Sequence, residues 1–325
     1  MTSRQPYDAF LTRVLRITQL SPHFTRITFG GDDLQHFGID GLDQRIKLLL
    51  PLPDGTFPEL GLFSDESPAM LDWYRKWREL PDDERNPIRT YTIRAVRPEL
   101  AEIDVDFVLH GTEGPASAWA QAATPGDELI IVGPDSRAQE PAGGIEWNPG
   151  PARRVLLAGD ETAAPAICAI LESLPSDFTG EAFIEVPEAG DALELSHPSG
   201  VTVTWLGRDG APHGTFLEPA IAEWGARRLP GAGARAGDPE QGVVAGARTD
   251  SGANADADAS TDAEAVDSDE VLWDVPEHVV GEDYAWLAGE AGVVTRMRRH
   301  LVRDLGIDRK AVAFMGYWRI GRAEG

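Results

Sequence analysis

Apolar and polar positions alternate in short runs through the first 134 residues. Val14-Leu15-Arg16-Ile17 and Phe24-Thr25-Arg26-Ile27-Thr28-Phe29 read as strands, separated by the breaker Ser21-Pro22. Arg45 to Pro51 is a third. Tyr91–Val96 and Glu102–Leu109 form a hairpin, and Glu128–Pro134 closes the series after the turn Pro125-Gly126-Asp127. Several short strands with turn residues between them predict a small antiparallel barrel. Residues 58–88 interrupt it. A helical turn over Asp72–Arg78 carries aromatics that either pack on the barrel or line a ligand mouth.

The pattern changes after residues 142–151, a Gly- and Pro-rich linker, so a domain boundary is placed at 150/151. Val155–Gly159 is a short apolar strand followed by an Ala-rich helix ending near Leu174. Further strands fall at Glu181–Val186, Val201–Leu206, Tyr284–Ala288 and Val312–Tyr317. Strands alternating with helices predict a parallel α/β sheet, whose ligands sit at the carboxyl ends of the strands. Asp160-Glu161-Thr162 and Gly289-Glu290 fall at such ends. Val294, Met297, Leu301 and Leu305 mark the inner stripe of a last helix; Arg296, Arg298, Arg299 and Arg303 lie off it and read as a solvated basic face. Residues 231 to about 270 are dominated by Ala, Gly, Asp and Glu. They lack the apolar surface to offset roughly 1–2 kcal/mol of backbone entropy per residue, which predicts a disordered acidic insert.

Composition narrows the function. The net charge of −25 argues against general binding to nucleic acid or an anionic membrane. No apolar run follows Met1 as in a signal peptide and none is long enough to span a bilayer, so a reduced cytoplasm is expected. The single cysteine, Cys168, lies in an apolar helical stretch and reads as a core thiol. Seven scattered histidines show no metal-ligand spacing.

The candidate chemistry lies in Arg89-Thr90-Tyr91-Thr92-Ile93-Arg94. Alternation sends Tyr91 and Ile93 to one side of a strand, Thr90 and Thr92 to the other. Tyr91 offers a flat face for an isoalloxazine ring, Thr92 a hydroxyl and an N–H near flavin N5, and Arg89 a fork for a pyrophosphate. Asp106-Phe107-Val108-Leu109-His110-Gly111 follows, and Gly114-Pro115-Ala116-Ser117 reads as a helix start facing an anion. Each fragment alone suits a hairpin and a capped helix; the three in this order point to a flavin.

These segments resemble the flavin signature of the ferredoxin-reductase superfamily. With Trp119-Ala120, Leu157–Ile167, Tyr284–Glu290 and Gly316–Gly321, they resemble its siderophore-interacting branch, FAD-dependent ferric-siderophore reductases. The resemblance implies an N-terminal six-stranded antiparallel FAD-binding β-barrel, residues 1–150, and a C-terminal α/β parallel-sheet domain for a nicotinamide nucleotide, residues 151–325. It implies hydride transfer from NADH or NADPH to flavin N5, then single electrons to Fe(III) of a ferric siderophore. A ferredoxin-like protein donor, a general electron-transfer reductase serving a protein partner, and a flavin-holding siderophore-binding module without turnover stay open.

The FAD contacts so implied are Arg89, Thr90, Tyr91, Thr92, Asp106, Val108, His110, Gly114, Pro115, Ala116, Ser117 and Trp318. Asp160, Thr162 and Ala163 are candidate nucleotide contacts, although two acids there repel a pyrophosphate unless they point away. Glu185 and Glu188 could hold a ribose diol, favouring NADH. Arg208 could take a 2′-phosphate, favouring NADPH, or an anionic substrate. Thr92 and Lys47 are the candidate catalytic residues. Lys47, alone between Ile46 and Leu48, either faces solvent by alternation or, as the resemblance implies, meets substrate near the flavin.

Overall fold

The computed structural model describes residues 4–64, 70–112, 114–140, 142–228 and 272–321. The acidic stretch at 231–270 lies outside the described residues.

The first sheet is built from β1 (Tyr7–Gln19), β2 (Phe24–Gly30), β3 (Arg45–Leu49), β4 (Ile88–Arg97), β5 (Glu102–Val108) and β6 (Glu128–Pro134). It closes as a barrel in the order β1-β2-β5-β4-β3-β6, every pair antiparallel. Closure needs one strand long enough to pair on both flanks at different heights. β1 does this over 13 residues, with a bulge between Val14 and Arg16 that bends it. The apolar members of each alternation, such as Phe29, Ile46, Leu48, Val105 and Ile131, fill the interior.

Helix α1 (Met70–Glu79) settles the role of two of the interrupting aromatics. Trp73 and Trp77 pack on the outside of the barrel against Leu49, Ile88, Ile130 and Val132. Helix α2 (Pro115–Ala122) lays Ala116 and Ala120 on the interior cluster, and Trp119 stacks on Phe29 at 6.2 Å.

The second sheet contains β7 (Arg154–Gly159), β8 (Thr179–Val186), β9 (Val201–Gly207), β10 (Trp273–Asp274), β11 (Asp283–Glu290) and β12 (Val312–Trp318), in the order β10-β12-β11-β7-β8-β9. Five strands are parallel; the two-residue β10 pairs antiparallel with β12 at one edge, making the sheet mixed. Helix α3 (Ala164–Ser173) covers one face, while α4 (Leu217–Arg228) and α5 (Ala291–Arg299) cover the other. Cys168 is buried in α3, and burial pushes its thiol up to about 12.

Two expectations need correcting. β8 and β9 are joined without a helix: Pro187, Gly190, Pro198 and Gly200 break one, and a single 3₁₀ turn at Ala189–Asp191 stands in its place. That turn sends the fully buried Asp191 to the barrel, where it accepts from Ser21 Oγ and the His23 amide and meets His23 Nδ1 at 2.8 Å. The basic face of α5 is also partly engaged. Arg296 makes a forked pair with Glu218 of α4, and Arg298 lies 4.4 Å from the Phe314 ring centre.

Other contacts lock barrel to sheet. Arg94 of β4 donates to Glu172 of α3 at 2.6 Å. Asp43 accepts from the Glu146 and Trp147 amides and from the Trp286 indole. Among the described residues no helix is long and apolar enough to cross a membrane.

Candidate flavin and nucleotide sites

Strand β4 presents its two faces as alternation dictates. Tyr91 and Ile93 join the interior cluster, with the Tyr91 ring 4.7 Å from Phe107. Thr90 is exposed on the outer face, where its hydroxyl accepts from Lys47 Nζ at 2.6 Å. Thr92 shares that face by alternation but is 7 % exposed. Arg89 is partly buried and donates to the Ile88 carbonyl; among the described residues it makes no ion pair.

The loop after β5 is held to α2 by side chains. Ser117 Oγ donates to the Gly111 carbonyl and accepts from the His110 amide, and Gln121 Nε2 donates to the same carbonyl at 2.7 Å. Gly111 has φ +86° with open space beside it. The His110 ring lies against Gly114, where a Cβ would stand 2.7 Å from His110 Cε1 and push the ring aside. Among the described residues no side chain caps α2, and Pro115 at its start has no N–H to satisfy. The amides of Ala116 and Ser117 thus stand at an uncapped helix start, which suits an anionic group. The donor set and the glycine-walled loop fit the pyrophosphate of a flavin dinucleotide.

At the carboxyl edge of the second sheet, carboxylates are turned inward. Asp160, 3 % exposed, accepts from the Thr162 amide and hydroxyl, the Glu290 amide at 2.7 Å and the Trp318 indole at 2.9 Å. Burial, reinforced by the charge of Glu161, outweighs these donors and pushes its carboxyl up to about 6. Glu161 takes both guanidinium nitrogens of Arg208, at 2.6 and 2.7 Å, and meets His213 Nε2 at 3.0 Å. Burial alone would raise the Glu161 carboxyl, but the His213 and Arg208 bonds hold it at about 2. Burial lowers His213, yet Glu161 more than offsets this and raises it. The Trp318 and His213 rings meet edge to face, with their centres 4.7 Å apart.

With these sites in view, comparison with known proteins is decisive. A family profile described as "Siderophore-interacting FAD-binding domain" matches residues 13–138, and one described as "Siderophore-interacting protein" matches residues 152–321. The chain belongs to the siderophore-interacting protein family. An uncharacterised protein of Mycobacterium tuberculosis is 33 % identical to it over 326 residues, covering 98 % of this chain and 93 % of that one. The ferric vibriobactin reductase ViuB of Vibrio cholerae is 33 % identical over 196 residues, covering 60 % of this chain and 65 % of the other. The crystal structure of SipS from Aeromonas hydrophila matches at TM-score 0.61 and 29 % identity, covering 100 % and 95 %. The ferredoxin-reductase-like fold and the FAD-binding domain place this siderophore-interacting protein among flavin oxidoreductases.

Several candidate residues of this siderophore-interacting protein have other partners. Asp106, 1 % exposed, is forked to Arg26 at 2.7 and 2.9 Å, with Arg94 at 3.6 Å; its carboxylate is committed between strands. Val108 packs into the core beneath α3. The Ser117 hydroxyl ties the loop, leaving only its amide for an anion. Arg208 is 7 % exposed and spent on Glu161, so it offers no open charge to a 2′-phosphate or a substrate. Glu185 is fully buried and accepts from the Gly214, Phe216 and Leu217 amides at the start of α4, which removes it as a ribose ligand. Glu188 stays at the surface and caps the 3₁₀ turn. Thr162 gives both its donors to Asp160, and Ala163 is fully buried. Gln121 escaped notice as part of these sites, and Gly289 and Glu290 were placed only at a strand end, without their contacts to Asp160. The glutamine at the position four beyond Ser117 was the available signal for the first.

Proposed function

We propose that this protein is an FAD-dependent reductase that takes electrons from NADH or NADPH and passes them to the Fe(III) of a ferric siderophore in the cytoplasm, releasing Fe(II). The observation that carries the reading is the pairing of a Tyr91-bearing strand with the uncapped, glycine-walled start of α2. The names of the relatives support it: one is a ferric vibriobactin reductase, and an Escherichia coli relative is an NADPH-dependent ferric-chelate reductase, 32 % identical over 201 residues. The reading assigns FAD to residues 1–150 and the donor nucleotide to 151–325.

Bound FAD supplies the junction between a two-electron hydride and single electrons for iron. The chain's part is to bind and orient. Arg89 and the Ala116 and Ser117 amides hold phosphate charge, Tyr91 offers its ring face, and Thr92 supplies donors at the ring edge. His110, seated over Gly114, closes the loop side. Lys47, hydrogen-bonded to Thr90 on the outer face, supplies a local cation to an anionic ferric siderophore against the protein's net charge of −25.

The test is a visible spectrum of the purified protein under anaerobic conditions. Adding NADH or NADPH should bleach the flavin, and a ferric siderophore should restore it with release of Fe(II). Bleaching by neither nucleotide, or no reoxidation by iron, would reject the corresponding half of the proposal.

Two substitutions probe the chain's roles. Arg89→Ala should weaken FAD binding by about 1.5–3 kcal/mol, the contribution of a charge-assisted hydrogen bond, read by flavin titration of the apoprotein. Lys47→Ala should lower kcat/KM for ferric siderophore, most for triply charged catecholates and less as salt rises, while the rate of flavin bleaching stays near wild type. Equal losses in both half-reactions would instead mean a damaged flavin site.

A further inference from the structure

We propose that Asp160 is an internal anion occupying the place where a nicotinamide dinucleotide would set its pyrophosphate, and that it keeps this protein's affinity for such nucleotides low. The inference rests on the reading above, since it concerns the donor side of the same reaction.

In open α/β sheets the ligand crevice lies where adjacent strands lead off in opposite directions, and a pyrophosphate rests on the helix start after the first strand. Here that point lies between β7 and β11, and the helix is α3. Three amides at its start are already taken. The Thr162 amide goes to the Asp160 carboxylate, and the Ala163 and Ala164 amides go to the Asp160 carbonyl at 3.0 and 3.1 Å. Pro165 has no N–H. Across the crevice, the Glu290 amide and the Trp318 indole also point at the same carboxylate. Gly289 permits this approach, for a Cβ there would lie 2.6 Å from Asp160 Oδ2. Donors from three strand ends thus converge on one oxyanion that the chain itself provides.

The surrounding charge strengthens the exclusion. Glu161 follows directly, and two cationic groups at this edge, Arg208 and His213, are bound to it. Arg208 is also within 3.7 Å of Glu185. An incoming pyrophosphate would have to displace the Asp160 carboxylate and then lie beside its charge. Removing that carboxylate leaves the three N–H groups of Thr162, Glu290 and Trp318 free to take a phosphate oxygen instead.

The test is calorimetric titration of ADP-ribose into the FAD-loaded full chain, which requires no turnover. Asp160→Gly should bind ADP-ribose at least about tenfold more tightly than wild type, a difference of roughly 1.4 kcal/mol. Asp160→Asn, which keeps the side-chain size, should fall between them. Flavin content and melting temperature confirm that each variant is folded. Equal or weaker binding by folded variants would overturn the proposal.

A second arm uses the wild-type protein alone. Flavin bleaching by NADH and by reduced nicotinamide mononucleotide should have kcat/KM values within tenfold, because the pyrophosphate makes no strong contact. A larger preference for NADH would also overturn it. If neither nucleotide bleaches the flavin, the nicotinamide donor of the proposed function fails, while the ADP-ribose arm still decides the role of Asp160.

Discussion

Glu161→Gln should destabilise the protein by about 3 kcal/mol at neutral pH, read as an earlier urea transition. The change keeps the side chain's size and removes only its charge. Arg208, 7 % exposed, then keeps its charge without the carboxylate that both its guanidinium nitrogens grip. Glu185 lies 3.7 Å away but is held by three amides of the α4 start and cannot swing to replace it. Breaking one side of a buried pair costs more than removing both, so Glu161→Leu combined with Arg208→Met should recover much of the loss. A double variant as unstable as the single one would show that the fork itself contributes little.

The same pair sets an acid limit. Glu161 is held at about 2 in the folded protein against 4.5 for an ordinary glutamate. The folded state therefore binds fewer protons than the unfolded chain in this window. The stabilisation is complete above pH 4.5 and is lost as pH falls toward 2. The Glu161→Gln variant should show a flatter stability profile across that window than wild type.

Gly289→Ala should cost about 3 kcal/mol or more. Its φ of +133° is a conformation that L-residues rarely adopt, and the added Cβ would press on Asp160 Oδ2 at 2.6 Å. The carboxylate would have to leave the Glu290 amide and the Trp318 indole, opening the seam between β7, β11 and β12. In an Asp160→Gly background the clash is gone and only backbone strain remains, so the same substitution should cost about 1–3 kcal/mol there. Chemical denaturation of the four proteins measures the difference. Full additivity would mean that Asp160 and Gly289 do not share the strain.

The barrel strands were legible because burial on one face writes a period of two into the residues themselves. Phe24–Phe29 and Tyr91–Val96 carry that alternation whatever lies next to them. Strand β4 and the start of α2, proposed above to hold the flavin, were legible as elements for a related reason: an alternating strand and a glycine-proline helix entry are local patterns. That the acids after β7 would repel a pyrophosphate unless they pointed away was also legible. What could not be read was where those acids would go.

Only the sheet order decided that. Asp160, Glu290 and Trp318 are far apart along the chain, and they meet because β7, β11 and β12 lie side by side. Arg208 reads as an open cation after β9, until β7 and β8 place Glu161 and Glu185 beside it. Asp106 looks like part of a cofactor motif, until β2 and β4 flank β5 and bring in Arg26 and Arg94. A buried charge takes the partner that the fold sets within hydrogen-bonding reach, because desolvation makes the unpaired state too costly. Strand periodicity is a property of a segment, whereas charge pairing is a property of the assembled sheet.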